Sequence, residues 1–235
     1  MIEAKDLEDP HLRKLIKQKI RTALIPVGSI EQHGPHLPVS TDSDIVSEIA
    51  KRISEKAGLL LLPTITYGVS FEHAPFFNMS IRKSTMQKVM IELCTSLWKN
   101  KIKNVIILNA HHTNQSALYK IPQKVSSLTR GKVKVFVFSY WHFMKRDFDH
   151  AGFVETSLML AISKKVKMKK AVKGFTANGF SKKQKAQLNK LAAKSFITVT
   201  KNGIWGDPTN ATAKDGKKIM SEIVQNFLKE SNLPY

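Results

Sequence analysis

Cysteine is almost absent: Cys94 stands alone in 235 residues. No internal disulfide can form and a thiolate metal cluster is excluded, so a reducing compartment fits. Cys94 itself lies in a helical pattern, TMQKVMIELCTSLW, where it reads as a small buried hydrophobe. Long apolar runs are missing too. No stretch approaches the roughly eighteen residues of a membrane span, and MIEAKDLEDPHLRK at the start lacks the apolar core of a secretory signal. A cytoplasmic chain with no membrane partner is expected. Acidic residues are scarce, 18 Asp and Glu against 38 Lys and Arg, which leaves a formal charge of +20. None occurs between Glu155 and Asp207. A field of this sign favours anionic partners without dictating a fold. The lysine-rich stretch from Lys164 to Lys194 could make a nucleic-acid surface, but no nucleic-acid motif accompanies it. SKKQKAQLNKLAAK is also how a solvated helix face reads. Nucleic acid is not the expected partner.

What the chain does contain is a 42% hydrophobic fraction, enough to build one sizeable core. Its apolar residues fall into short runs separated by amphipathic stretches. Thr22–Val27, Leu59–Ile65, Asn104–Leu108 and Val133–Phe138 read as buried strands. Between and after them, helices are predicted from Asp42 to Gly58, over Ser84–Trp98 with Ser84 as cap, and over Gln115–Leu128 with a break or kink at Pro122. Further helices are predicted over Glu155–Ile162, Ser181–Ala193 and Lys214–Leu228. Strands alternating with helices predict an α/β fold, a mainly parallel sheet covered on both faces, in a single domain over residues 1–235.

The polar residues collect at the predicted strand ends. After the first strand comes EQHGPHLPVSTD, with Glu31, His33, His36 and Asp42. After the third come His111 and His112. After the fourth come Tyr140, Trp141 and His142, then His150 and Glu155. In a parallel sheet these ends share one edge, where ligand sites gather. Imidazoles and carboxylates without thiolates suit zinc, manganese or ferrous iron, and a bridging carboxylate could hold two ions roughly 3.5 to 4 Å apart. If the extended backbone persists past Ile30, Glu31 and His33 point to one side and Gln32 to the other. Asp42 and Asp44 also suit a helix N-terminus through their charge alone.

PVGSIEQHGPHLPVSTD, LNAHHTN, HAGFVETS and GIWGDPTNATAKDG, spread from Ile25 to Gly216, resemble the creatininase family of metal-dependent amidohydrolases. The resemblance implies a three-layer αβα fold with a dinuclear site at the carboxyl edge of the sheet, in a homo-oligomer. It implies Glu31, His33, Asp42 and His111 as metal ligands, with Asp42 the bridge. Where creatininases carry a further glutamate two residues beyond the motif histidine, this chain has Thr113; Glu155 is then the replacement ligand or a proton relay. His150 matches a residue that handles the substrate or the leaving group, and it suits general acid work. Two cations sharing a water would bring its pKa towards neutrality for attack on an amide carbonyl. His36 either holds its loop or touches substrate.

The substrate is expected to be a small amide, and an anionic one. KRDFDHAG replaces the tryptophan that creatinine hydrolases carry before the HAG motif, so Arg146, with Lys145, is positioned for an anionic group. The family includes deformylases that remove formate from a phosphoribosyl formamidopyrimidine in archaeal flavin and deazaflavin biosynthesis, and this is the expected activity. Creatinine hydrolysis and trimming of a precursor peptide are the alternatives. Trp141, with Phe76 and Phe77, is a candidate for lining the pocket; the roles of His73 and Asn78 stay open.

Overall fold

A computed structural model describes residues 2–231. Five strands, β1 (Ile2–Glu3), β2 (Thr22–Val27), β3 (Leu60–Leu61), β4 (Asn104–Asn109) and β5 (Lys134–Ser139), form one sheet in the order β1-β3-β2-β4-β5. Every pairing is parallel, and β2 runs in full register with β4 from Thr22↔Asn104 to Val27↔Asn109.

The helices are α1 (Asp9–Gln18), α2 (Thr41–Ala57), α3 (Lys83–Lys99), α4 (Gln115–Leu118), α5 (Ile121–Thr129), α6 (Phe153–Ile162), α7 (Lys182–Ala192), α8 (Phe196–Thr200) and α9 (Ala213–Glu230). Alternation along the strands sorts the core into two halves. Leu24, Ile106 and Leu108 face a cluster with Ile45, Ile49, Leu158, Ile223 and Phe227 of α2, α6 and α9. Ala23, Ile25, Val105 and Ile107 face the other way, onto Ile16, Met86, Met90, Cys94 and Val125 of α1, α3 and α5. The result is the three-layer αβα arrangement expected. Burial pushes the Cys94 thiol up to about 12, as befits an inert core residue.

The predicted strand over Leu59–Ile65 is cut to Leu60–Leu61. Pro63 has no N–H to give, yet Leu62 and Ile65 still donate to the carbonyls of Leu24 and Pro26 at 2.9 Å, so the segment follows β2 without a regular ladder. The helix predicted over Gln115–Leu128 is two, α4 and α5, with Pro122 in the first turn of the second, where a missing N–H costs nothing. Ser84 does not cap α3: the flanking position is Arg82 and no side chain caps it. Ser181 does cap α7, in a reciprocal capping box with Gln184. Neither β1 nor α1 was expected from periodicity.

Adjacent strands β2 and β4 send their chains to opposite faces, β2 to α2 and β4 to α4 and α5. Their carboxyl ends therefore flank the crevice at which such sheets bind ligands.

Candidate metal centre

Glu31 leaves β2 in extended backbone, held by an antiparallel bridge to Asn78 and by its N–H donating to Val39 O at 3.0 Å. Glu31 and His33 accordingly reach the same cluster. Asp42 lies in the first turn of α2, where the positive helix terminus favours its charge. His111 follows β4. Glu155 lies in the first turn of α6, one of its oxygens accepting from Ala151 N–H at 2.7 Å. That contact depends on a tight approach: Ala151 has a left-handed φ of 52°, and a Cβ on Gly152 would stand 2.3 Å from an Asp149 carboxylate oxygen.

Asp42 sits between two groups of donors. One of its oxygens is 3.2 Å from His33 Nε2, the other 3.2 Å from His111 Nδ1. On the first side His33, Asp42 and Glu155 present atoms mutually within 4.8 Å, with His33 Nε2 3.5 Å from Glu155. On the second, Glu31 Oε1 is 3.0 Å from both His111 Nδ1 and His73 Nε2. All of these side chains are buried.

The electrostatics are those of a site built around positive charge. Burial alone would lower His33, but the Asp42 and Glu155 carboxylates outweigh it and push it up to about 10. Burial works against His111 likewise, yet Glu31 raises it well above the usual imidazole range. Burial would raise Glu31, and the neighbouring His111 holds it well below the carboxylate range. Glu155 goes the other way, raised well above by burial, with Asp42 and Asp149 adding to the effect against His33. Among the described residues Glu31 Oε2 and Glu155 Oε1 are buried without a hydrogen-bond partner, while Glu31 Oε1 and one Asp42 oxygen face only imidazole nitrogens. Carboxylate oxygens left without a donor in a buried site are costly, and a divalent cation is one group that satisfies them. The nitrogen and oxygen donor set fits such an ion.

Beside this cluster opens a cavity of about 540 Å³, lined among others by Asp42, His111, Trp141, His150, Lys185 and Phe196. Trp141 is on its wall, stacked on Phe148 with ring centroids 4.4 Å apart. His150 faces it too, its neutral form favoured because burial and then the nearby His33 lower it well below the usual range.

Two candidates for substrate contact lie elsewhere. His36 is buried off the cavity, its Nε2 2.9 Å from Thr156 Oγ1, bracing the loop against α6. It is pushed down to about 4 by burial and the adjacent His33. Arg146 is exposed, its guanidinium 4.9 Å over the Phe153 ring and outside the cavity lining. Phe76 and Phe77 also stay out, and Phe77 is 59% exposed. Among the described residues the cation on the wall is instead Lys185 of α7, and Asn189 one turn on and Asn178 before the helix line the same cavity. Sequence reading passed over it because an isolated lysine in a lysine-rich helix carries no signal.

The segment after β3 supplies Glu72, which was given no role, and His73, whose role the sequence left open. Glu72 and His73 sit in a single 3-10 turn, Phe71–His73, and both are buried. Thr113 Oγ1 donates to Glu72, and His111 Nε2 lies 3.2 Å from the same oxygen, so Glu72 backs the imidazole from behind. The adjacent acid and histidine in YGVSFEHAP were the available signal. Asn78 contributes mainly backbone, its side chain donating to Phe76 O at 3.0 Å.

The sequence model of the creatininase family, described as creatinine amidohydrolase, matches residues 5–230. The mycofactocin precursor peptide peptidase of Mycolicibacterium smegmatis is 34% identical over 214 residues, 86% of this chain and 80% of that one. A 2-amino-5-formylamino-6-ribosylaminopyrimidin-4(3H)-one 5'-monophosphate deformylase of Methanocaldococcus infernus is 26% identical, covering 92% of this chain and 94% of its own. Among solved structures, a manganese creatininase superposes with a TM-score of 0.83 at 21% identity, over 99% of each chain. Fold and site are those of a metal-dependent hydrolase of carbon–nitrogen bonds. The chain belongs to the creatininase family.

Proposed function

We propose that the protein hydrolyses the amide bond of a small anionic formamide, with two divalent ions held on either side of Asp42. His33, Asp42 and Glu155 would hold one ion, and Glu31, Asp42 and His111 the other. Bound there, the ions would polarise the substrate carbonyl and bring a water within reach of ionisation near neutral pH. His150 takes up a proton at its imidazole and passes it to the departing nitrogen, a role its neutral resting form suits. Trp141 covers the substrate, and Lys185 with Asn178 and Asn189 receives its anionic group.

One observation carries this reading: a cavity sized for a small molecule joins a carboxylate–imidazole floor to a wall where, among the described residues, Lys185 is the one Lys or Arg. The deformylase relative, matched over nearly its full length, names such a substrate. A second reading, hydrolysis of a short peptide, is favoured by the higher identity of the peptidase relative. Assembly into a homo-oligomer is part of the same proposal; exposed Phe71, Phe77 and Met79 offer apolar surface for it.

The test is anaerobic incubation of purified protein with manganous, ferrous or zinc ions and a panel of the formamidopyrimidine nucleotide, creatinine and short peptides. Formate release from the nucleotide alone is expected, abolished by chelator and restored by one preferred ion. Turnover of peptides alone would transfer the assignment to the peptidase reading.

A further inference from the structure

Alternation along extended backbone would turn Gln32 away from Glu31 and His33, but in the structure it is 7% exposed and its carboxamide reaches two imidazoles of the same cluster. Which atom faces them is settled by backbone. Gly34 N–H donates to Gln32 Oε1 at 3.0 Å, and Gln32 Nε2 donates to Gly203 O at 3.1 Å. A flipped amide would set oxygen against oxygen at Gly203 and N–H against N–H at Gly34. The pocket is shaped for this group: Gly34 and Gly203 have φ of +64° and +77°, and a Cβ on Gly203 would stand 2.1 Å from Gln32 Oε1.

The remaining N–H of the amide has two nitrogens in range, His73 Nδ1 at 3.0 Å and His150 Nε2 at 3.1 Å. His150 Nε2 is also 3.0 Å from Gln32 O, a pure acceptor, so that nitrogen carries hydrogen and donates to the carbonyl. The amide therefore donates to His73 Nδ1. A neutral His73 then has its hydrogen on Nε2, the nitrogen 3.0 Å from Glu31 Oε1, where a bare lone pair would be repelled by the carboxylate. A neutral His150 has Nδ1 bare, 3.9 Å from the same oxygen.

We infer that Gln32 is a positioning residue that sorts the two histidines. It makes His73 an N–H group beside Glu31, closed to a metal ion although its position admits one. It leaves His150 with an open nitrogen towards the reacting centre. This deepens the proposed hydrolytic reading by excluding His73 from the ligands and fixing the atom through which His150 acts.

Nitrogen-15 NMR of histidine-labelled full-length protein, metal-free and zinc-loaded, tests the assignment, with signals identified by their loss in His73→Asn and His150→Asn. In both states His73 should show a bare Nδ1 and a protonated Nε2. His150 should show a protonated Nε2. Gln32→Glu, which offers only acceptors, should move the His73 hydrogen to Nδ1. Gln32→Met, which offers no donor to Nδ1, should leave the His73 hydrogen free to occupy either nitrogen, seen as a mixture of the two tautomers. A wild-type His73 that is protonated on Nδ1 or bound to zinc through Nε2 overturns the inference, whether or not the variants fold. Wild-type protein that binds no zinc overturns the metal reading instead, and the metal-free spectrum still reports the tautomers.

Discussion

Asp42 is the residue on which the centre turns, because its two oxygens are each 3.2 Å from a different imidazole. Asp42→Ala should leave the purified protein without stoichiometric metal by mass spectrometry. Turnover should fall about 100-fold or more, since even outer partners of metal ligands cost 10–100-fold. A variant that keeps both ions would remove Asp42 from the bridge. His33 sets the pH dependence. In the metal-free chain it is held up to about 10, against 6.5 unperturbed, by Asp42 and Glu155 overcoming burial. That proton must leave before the nitrogen can ligate, so zinc affinity should rise with pH, by about tenfold per unit for each proton displaced. Competition titrations across the range from about pH 6 to 8 check the slope, and a flat profile would mean that His33 does not ligate. The linked stability has the opposite sign: what the pair lends the metal-free fold is fully present below pH 6.5 and lost as pH rises through about 10. At this scale the motifs marked residues that the structure brings into one buried cluster: Glu31, His33, Asp42, His111, His150 and Glu155. The sequence was misleading for Arg146, whose neighbourhood to the HAG motif in sequence does not turn its guanidinium inwards. For His36, closeness to His33 marked the loop and not the pocket.

Helix contacts decide whether these residues stay together. α9 crosses α6 at Gly216, where a Cβ would stand 1.8 Å from the backbone oxygen of Ser157. Gly216→Ala should therefore force α9 off α6 and cost about 1–3 kcal/mol as overpacking. Calorimetry should show Tm falling by roughly 2–4 °C per kcal/mol in a chain of this size. An unchanged Tm would mean that the two helices yield freely. α7 is the other informative element. Its capping box fixes where it starts, and Lys185 and Asn189, one turn apart, line the cavity. Lys185→Ala should raise KM for an anionic amide about tenfold or more while leaving kcat and the KM of a neutral amide within about twofold. Equal effects on both substrates would deny the lysine a part in recognition. Helices with strong periodicity, α2, α3 and α9, were read from sequence to within a few residues. β1 and β3 were not, because two-residue strands carry too little pattern to register, and Pro63 broke the ladder in a run that looked continuous.

Across the whole molecule, a charge of +20 surrounds an interior that concentrates buried carboxylates. Lys164–Lys194 adds cations near the cavity wall without one acid among them. Association of an anionic substrate should be steered by this field, so kcat/KM should fall several-fold between about 0.05 and 0.3 M salt, while a neutral amide is unaffected. Equal salt dependence would place the positive surface outside the route to the site. No helix among the described residues is long and apolar enough to cross a membrane. The amino-acid order alone determined the alternation of buried strands with amphipathic helices, the parallel sheet and the metal-binding chemistry of its carboxyl edge. Those follow from local periodicity and from side chains whose chemistry is carried by type. Only the tertiary structure decided that Glu72, His73 and Gln32 join the site, that Lys185 replaces Arg146 at its wall, and which nitrogen of each histidine faces inwards. These depend on distances between segments as far apart as Gln32 and Gly203, which meet because the sheet brings its loops to one edge.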